Sequence, residues 1–449
     1  MRQIDLRRLV DNAPIGRLHF AVILWCGIVS VLDGYDLSIA GVALPSMMKA
    51  MGVSPATAGI MVSSALFGMM FGAIGLGTLA DRIGRRWAFV LCVGLFSVFT
   101  AVAGFANDPI TFSLMRFLAG VGVGGVTPTV AAHVTEYSPR RLRTTLVSVI
   151  FSGFAVGGMV AAMTAKALLE KYGWQSVFFA ACLPMALIPG IFLSLPESLP
   201  FLLRKGDTQS IRKIVNLIRP EEVVNSDDVF VLNTVDVRAD APMSMLFRDG
   251  RGVSTLMFWI SSFMCLFMVY GLSSWLTKLL ASAGHSLGNA LTFVIVLNVG
   301  ALIGTLAGGW LSDRVHIKYV LVGMYSLAGL SIAILGYVPN DFLAYLCVAI
   351  AGGCTIGTQT VGYAYAGQYY PMSIRSTGIG WVSGVGRTGA ILSPIVIGVI
   401  VGLSLPLQTN FIALAVPAVI ATMAVGFVDD ARSKRLSMEI SVDGIEASE

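Results

Sequence analysis

Gly77-Thr-Leu-Ala-Asp81-Arg82-Ile-Gly84-Arg85-Arg86 is a short charged stretch set between two long apolar runs, and a relative of it returns as Gly309-Trp-Leu-Ser-Asp313-Arg314. The step along the chain from Gly77 to Gly309 recurs elsewhere. It lays Glu136-Tyr-Ser-Pro139 through Arg143-Thr-Thr145 on Gln368-Tyr-Tyr-Pro371 through Arg375-Ser-Thr377, and Ala119-Gly120 on Ala351-Gly352. Unrelated apolar segments share glycines by chance. Charged, tyrosine–proline and arginine matches at one constant offset point instead to two repeated halves.

What lies between these motifs is apolar. Of 449 residues, 56% are hydrophobic and 12% are charged, about half the charge of a soluble domain. A water-soluble enzyme, a disordered chain and a fibrous protein are excluded on that ground. A membrane crossing takes about 20 apolar residues. Suitable runs fall at 20–44, 56–80, 88–106, 110–133, 145–168, 175–195, 253–281, 289–311, 318–337, 341–366, 376–403 and 409–428. The 49 glycines suit helices that approach closely in lipid. The polar stretch 196–253 splits the chain into a six-helix bundle over 1–195 and another over 254–430, with a tail at 431–449. Placing both termini in the cytoplasm puts 24 of the 30 lysines and arginines on that side and only Lys49, Lys166 and Lys171 in the opposite loops, as the positive-inside bias requires. The expected fold is an all-α integral membrane protein of twelve helices in two pseudo-symmetric bundles, with the central loop and tail cytoplasmic.

The six cysteines, Cys26, Cys92, Cys182, Cys265, Cys347 and Cys354, all sit in apolar runs without a CxxC or a paired histidine. They read as small buried hydrophobes; no metal site or disulfide is expected. The basic start (Arg2, Arg7, Arg8, Arg17) leads into an apolar run with no small-residue cleavage site, so that run is expected to remain as the first span.

Ionisable side chains inside the spans carry the functional reading. Asp33 and Asp36 are three apart, on one face of the first helix, near or just beyond mid-membrane. A carboxylate at a helix centre costs about 2.5–3.5 kcal/mol on insertion scales, and burial beside a like charge favours the protonated form. Such a pair suits reversible proton carriage; the alternative is a structural pair held by a tyrosine or by an arginine from another helix. Arg387 lies near the midplane of the eleventh span. Its planar fork matches a carboxylate, so it is either a grip for a substrate anion or a permanent partner of Asp33 or Asp36. Lys278, after Tyr270 and Trp275 near the outer end of the seventh span, is an anion attractor at the mouth or a lysine reaching the headgroups. Gln359 and Tyr363 share a face of the tenth span, while Tyr365 shares it poorly; they and Phe154 are candidates for holding a flat ring, or else packing residues. His133 and His285 read as surface or interface histidines.

These residues resemble those of the major facilitator superfamily over essentially the whole chain. Gly77–Arg86 is similar to its signature loop, Arg116-Phe-Leu-Ala-Gly120-Val-Gly122-Val-Gly124 to its helix-4 arginine–glycine motif, and Pro196-Glu197-Ser198 with Lys205-Gly206 to the start of its central loop. Leu32-Asp33-Gly34-Tyr35-Asp36, Gln368–Gly378 and Gly386-Arg387-Thr-Gly389-Ala390 resemble the aromatic acid:proton symporters within it. His316 and Ile317 depart from the fuller Gly-Arg pattern of the first loop. The resemblance implies a substrate site at the midplane between two parallel repeats, a benzoate- or hydroxybenzoate-like substrate, and Arg116 relaying charge with Asp33 and Asp36; bracing helix 4 against a carbonyl is the other reading of Arg116.

Asp81, Arg82, Arg85, Arg86, Glu136, Asp313 and Arg314 form the expected gating set. Asp81 would cap the helix starting after Arg375, and Arg85 or Arg86 would pair with Glu136; the alternative is that these charges only orient the chain. The expected function is proton-coupled import of an aromatic acid anion at the inner membrane of a bacterium, by a monomer in the lipid bilayer. The proton gradient supplies the energy; no cofactor, metal or nucleic acid is involved. Transport of another organic anion, such as a dicarboxylate or nicotinate-like acid, and export are the alternatives. An intramembrane enzyme lacks a nucleophile–base or metal constellation here, and a receptor lacks an output domain.

Overall fold

The computed structural model describes residues 3–218, 228–232, 243–338, 340–371 and 374–430. Among them are 12 helices long and apolar enough to cross a membrane: α1 (Arg17–Met51), α2 (Pro55–Ile83), α3 (Arg85–Ala103), α4 (Pro109–Tyr137), α5 (Arg143–Tyr172), α6 (Gln175–Ser194), α7 (Gly252–Ser282), α8 (Leu287–Ser312), α9 (Ile317–Leu335), α10 (Asp341–Tyr369), α11 (Arg375–Gly402) and α12 (Leu407–Gly426). The expected spans are all present, most of them lengthened where polar ends continue the helix. The expected tail, 431–449, lies outside the described residues.

Two departures have local causes. α6 winds as a 3-10 helix over Ala180–Leu187, where Pro184 supplies no N–H to the α-helical ladder. α3 starts at Arg85, ahead of its apolar run. Glu197, from beyond α6, accepts the Arg86 N–H at 3.2 Å and so satisfies a first-turn donor of α3 from outside the helix.

The chain forms two compact units, one of Met1–Val53 and Ile60–Val235, the other of Ser54–Gly59 and Asp236–Glu449. Close helix crossings inside them repeat at the offset seen in the sequence. A methyl group on Gly68 of α2 would meet the Phe117 carbonyl oxygen of α4 at 2.0 Å, and one on Gly300 of α8 the Ala349 carbonyl of α10 at 2.0 Å. Gly120 against Ala65 is matched by Gly352 against Leu297, and Gly157 against Val31 by Gly389 against Phe263. Each glycine and each facing carbonyl is displaced by the same step that separates Gly77 from Gly309. The repeat is thus carried by backbone contact, which only a missing side chain permits.

Gly34 makes a further close crossing, one that the second half does not repeat, since Leu266 stands at its matching position. A Cβ on Gly34 would lie 2.0 Å from the Phe154 carbonyl oxygen, so Gly34→Ala is expected to push α1 from α5 at a cost of about 1–3 kcal/mol. Thermal unfolding in detergent checks this, with Gly75→Ala, which meets nothing within 4 Å, as the silent control.

The first unit also gathers segments outside the spans. Gln3–Asp5 pairs as a parallel strand with Val229–Val231. Asp5 then caps the helix Leu6–Asp11 by accepting from the Arg7 and Arg8 N–H groups at 3.0 and 3.4 Å. Leu6, Leu9 and Val10 join Leu199, Leu202 and Ile211 in the core of that unit. Asp11 pairs with Arg143 at the start of α5. Arg143 also donates to the Ser138 carbonyl at 3.2 Å, and its repeat mate Arg375 donates to the Tyr370 carbonyl at 3.4 Å in the second unit.

Candidate substrate and proton sites

Asp33 and Asp36 lie about halfway along α1, and the Gly34 crossing brings Phe154 of α5 beside that turn. Tyr35 donates its hydroxyl to the Val177 carbonyl at 2.9 Å, which fixes the rotation of α1. Asp36 then points at Arg116 of α4, each side chain 1% exposed. Arg116 Nη1 stands 2.9 and 3.1 Å from the two carboxylate oxygens, and Nη2 donates to the Asp36 backbone carbonyl at 2.9 Å. Thr100 of α3 accepts from Nη1 at 2.8 Å and donates to Asp36 Oδ1. Three helices converge on one carboxylate.

Neither charge is tolerable alone at this depth; together they neutralise and saturate most of each other's hydrogen-bonding capacity. Both readings of Arg116 meet here, since the carbonyl that it braces belongs to the aspartate that it neutralises. Asp33, 6% exposed, lies one turn earlier on α1.

A second cluster joins the α2–α3 loop to the ends of α4 and α6. Arg85 bridges Asp81 at 2.8 Å and Glu136 at 3.4 Å. Arg86 does not reach Glu136: it donates to the Phe192 carbonyl at 3.3 Å and stacks on the Phe192 ring. Glu197 is the hub. It accepts the Arg86 and Ser198 N–H groups, its carbonyl accepts the Tyr137 hydroxyl, and its carboxylate packs against Gly84, whose φ of +98° and lack of a Cβ make room. Asp81 therefore has Arg85 as its partner within the unit, and its carbonyl accepts from Arg204; Arg82 is exposed.

The counterpart loop in the second unit is built differently. Asp313 and Arg314 are exposed, Arg314 stacks on Trp310 at 4.0 Å, and His316 stands 3.7 Å from Asp430. Gln368 occupies the repeat position of Glu136 and Ile317 that of Arg85, so neither partner of that ion pair is repeated.

In the second unit, α7, α9, α10, α11 and α12 enclose a pocket lined in part by Ser261, Cys265, Tyr325, Thr358, Gln359 and Tyr363. Tyr363 lies close to Ser383 and Gln359 and within reach of the Arg387 charge. The residues expected to hold a ring and its carboxylate are thus neighbours on α10 and α11. Tyr365 also borders the pocket, but it is 2% exposed and donates to Asp430 at 2.6 Å.

Several expectations need correcting. Trp275, expected beside Lys278 as part of a substrate-binding group at the mouth, is fully buried, and its indole N–H donates to the Pro394 carbonyl at 3.0 Å, so it fastens α7 to α11. Lys278 and Tyr270 are half-buried on α7. His133 is not a surface residue: it is fully buried between Phe89 and Tyr137. His285 is half-buried, 3.6 Å from Asp341. Cys182 is exposed, unlike the other five cysteines. Two further residues join these sites: the Pro196-Glu197-Ser198 motif signals Glu197 in the sequence, whereas Thr100 is there only a hydroxyl within an apolar run.

Twelve membrane-length helices in two repeat-related bundles, with a buried ion pair at mid-helix depth in one and a polar pocket in the other, make this a multi-pass membrane transporter. A profile of the Major Facilitator Superfamily matches residues 26–358 and 299–441, and the chain belongs to that family. It is 42% identical to a benzoate transport protein of Acinetobacter baylyi, covering 96% of this chain and 94% of that one. It is 32% identical to the 4-hydroxybenzoate transporter PcaK of Pseudomonas putida, covering 94% and 95%. A bacterial homologue of the human lysosomal transporter Spinster, solved in an inward-facing and occupied conformation, shares the fold with a TM-score of 0.72 at 17% identity, over 94% and 98% of the two chains. The family and these relatives are transporters; the chain is not an enzyme.

Proposed function

We propose that this transporter imports an aromatic monocarboxylate, benzoate- or hydroxybenzoate-like, together with protons. The buried Asp36–Arg116 pair carries the coupling. A proton on Asp36 cancels its charge and competes with Arg116 for the carboxylate, so proton uptake and helix packing are linked at one point of contact between α1, α3 and α4. Asp33, one turn away, is the second acid of this proton site. The substrate reading is supported by the 42% identity to a benzoate transport protein over nearly the full length. Arg387 grips the carboxylate as a two-pronged donor. Gln359 and Tyr363 flank the ring, and Lys278 draws anions to the mouth.

The two bundles expose this site alternately to either side, and the Arg85–Glu136–Glu197 cluster is the inner latch. The transporter works as a monomer in a bacterial inner membrane with both termini inside, driven by the proton gradient without a cofactor. Purified protein in liposomes is expected to accumulate labelled benzoate or 4-hydroxybenzoate when the outside is acidified, and to lose that accumulation on addition of a protonophore. Uptake indifferent to the gradient removes symport from the reading.

A further inference from the structure

We propose that the polar pocket of the second unit is a reading site for a neutral ring substituent, which selects hydroxylated aromatic acids over acids with a second charge. The inference rests on the proposed function, since it takes Arg387 as the carboxylate grip, and it adds what the far side of the ring meets.

Helix geometry orients the ligand. Ser383 precedes Arg387 by four residues on α11, so the two share a face and lie about 6 Å apart along the axis at 1.5 Å per residue. Tyr363 lies close to Ser383, whose neighbour Val382 lines the same pocket, and within reach of the Arg387 charge. A ring whose carboxylate sits on Arg387 and which extends toward Ser383 along Tyr363 arrives at the pocket that Tyr363 and Gln359 border.

The lining is suited to a hydroxyl. Ser261 lies 3.2 Å from the Tyr325 phenol, Cys265 lies 3.4 Å from the Thr358 hydroxyl, and Thr358 donates to the Thr355 carbonyl at 2.7 Å. These groups are hydroxyls and a thiol, which rotate to donate or accept as the guest requires. Among the described residues, no Asp, Glu, Lys, Arg or His lines the pocket, so a charged substituent would enter without a counter-ion and lose its water. The free space holds about one water-sized group. That is room for a hydroxyl, not for a second ring or a carboxylate. Because the lining groups already hydrogen-bond one another, an unsubstituted ring leaves none stranded. Benzoate is therefore accepted too, and preference rather than exclusion is the outcome.

The test measures uptake of benzoate and 4-hydroxybenzoate, and competition by terephthalate, in proteoliposomes holding the full chain. The wild type is expected to take up both monocarboxylates and to ignore terephthalate at a hundredfold excess. Thr358→Val removes a hydroxyl at constant shape and is expected to lower the 4-hydroxybenzoate to benzoate ratio of kcat/KM about two- to tenfold, one hydrogen bond's worth. Cys265→Met fills the space and is expected to lower that ratio further while benzoate uptake continues. Unchanged ratios in both variants, or terephthalate competing as well as benzoate in the wild type, overturn the pocket assignment with aromatic acid transport intact. A wild type that takes up no aromatic acid overturns the proposed function instead. Should either variant fail to insert, the wild-type terephthalate result decides.

Discussion

Asp36→Asn is expected to abolish accumulation against a gradient while exchange between internal and external substrate continues. Of the two partners only the carboxylate can take up and release the coupling proton, because the guanidinium stays charged. Asparagine keeps the shape and removes the proton site. It also leaves Arg116 buried without its counter-charge, as Arg116→Met leaves Asp36, and breaking a buried pair from one side costs about 3–5 kcal/mol. Both single variants are thus expected to be less stable. The double variant is expected to recover most of that loss, because no charge is then stranded, yet still not to accumulate substrate. Unfolding midpoints and gradient-driven uptake across this cycle separate coupling from stability. Accumulation restored in the double variant would move the coupling proton elsewhere, with Asp33 first in line.

Arg387→Ala carries the second large effect. Removing one partner of a desolvated, hydrogen-bonded charge pair costs about 2–5 kcal/mol, so affinity for the best aromatic acid is expected to fall about thirtyfold or more. Arg387→Lys keeps the charge without the fork and should recover only part of the loss. Equilibrium binding to protein in detergent measures this apart from the gradient. Affinity that survives the alanine change places the carboxylate elsewhere, with Lys278 the next cation to examine.

The fold could be read from the sequence because two of its signals are periodic and redundant. Apolar runs of membrane length mark the helices, and the offset that links Asp81 to Asp313 also links the glycines where helices touch. Where a helix begins was less legible. α3 starts early because Glu197, from the far end of the bundle's sequence, caps it, and no local pattern records that. The ionisable residues of the site could be picked out because charge inside a span is costly enough to need a reason. Which of them pair was not legible: Asp36 is on the first span and Arg116 on the fourth, and only the crossings of α1, α3 and α4 bring them together. Trp275 shows the converse error. An aromatic beside a lysine near a helix end looks like a binding group, and one indole N–H on a carbonyl across the bundle makes it packing instead. The pocket hydroxyls went unread because a lone serine or threonine in a span normally bonds to its own helix.

The strand Gln3–Asp5 has its partner in Val229–Val231, with six membrane crossings between them. During synthesis that segment emerges before its partner and stays unmatched until the ribosome has passed Val231. The two ends of the first bundle are then tied by a backbone clasp that cannot close early, so its closure reports that the whole half has been made and threaded.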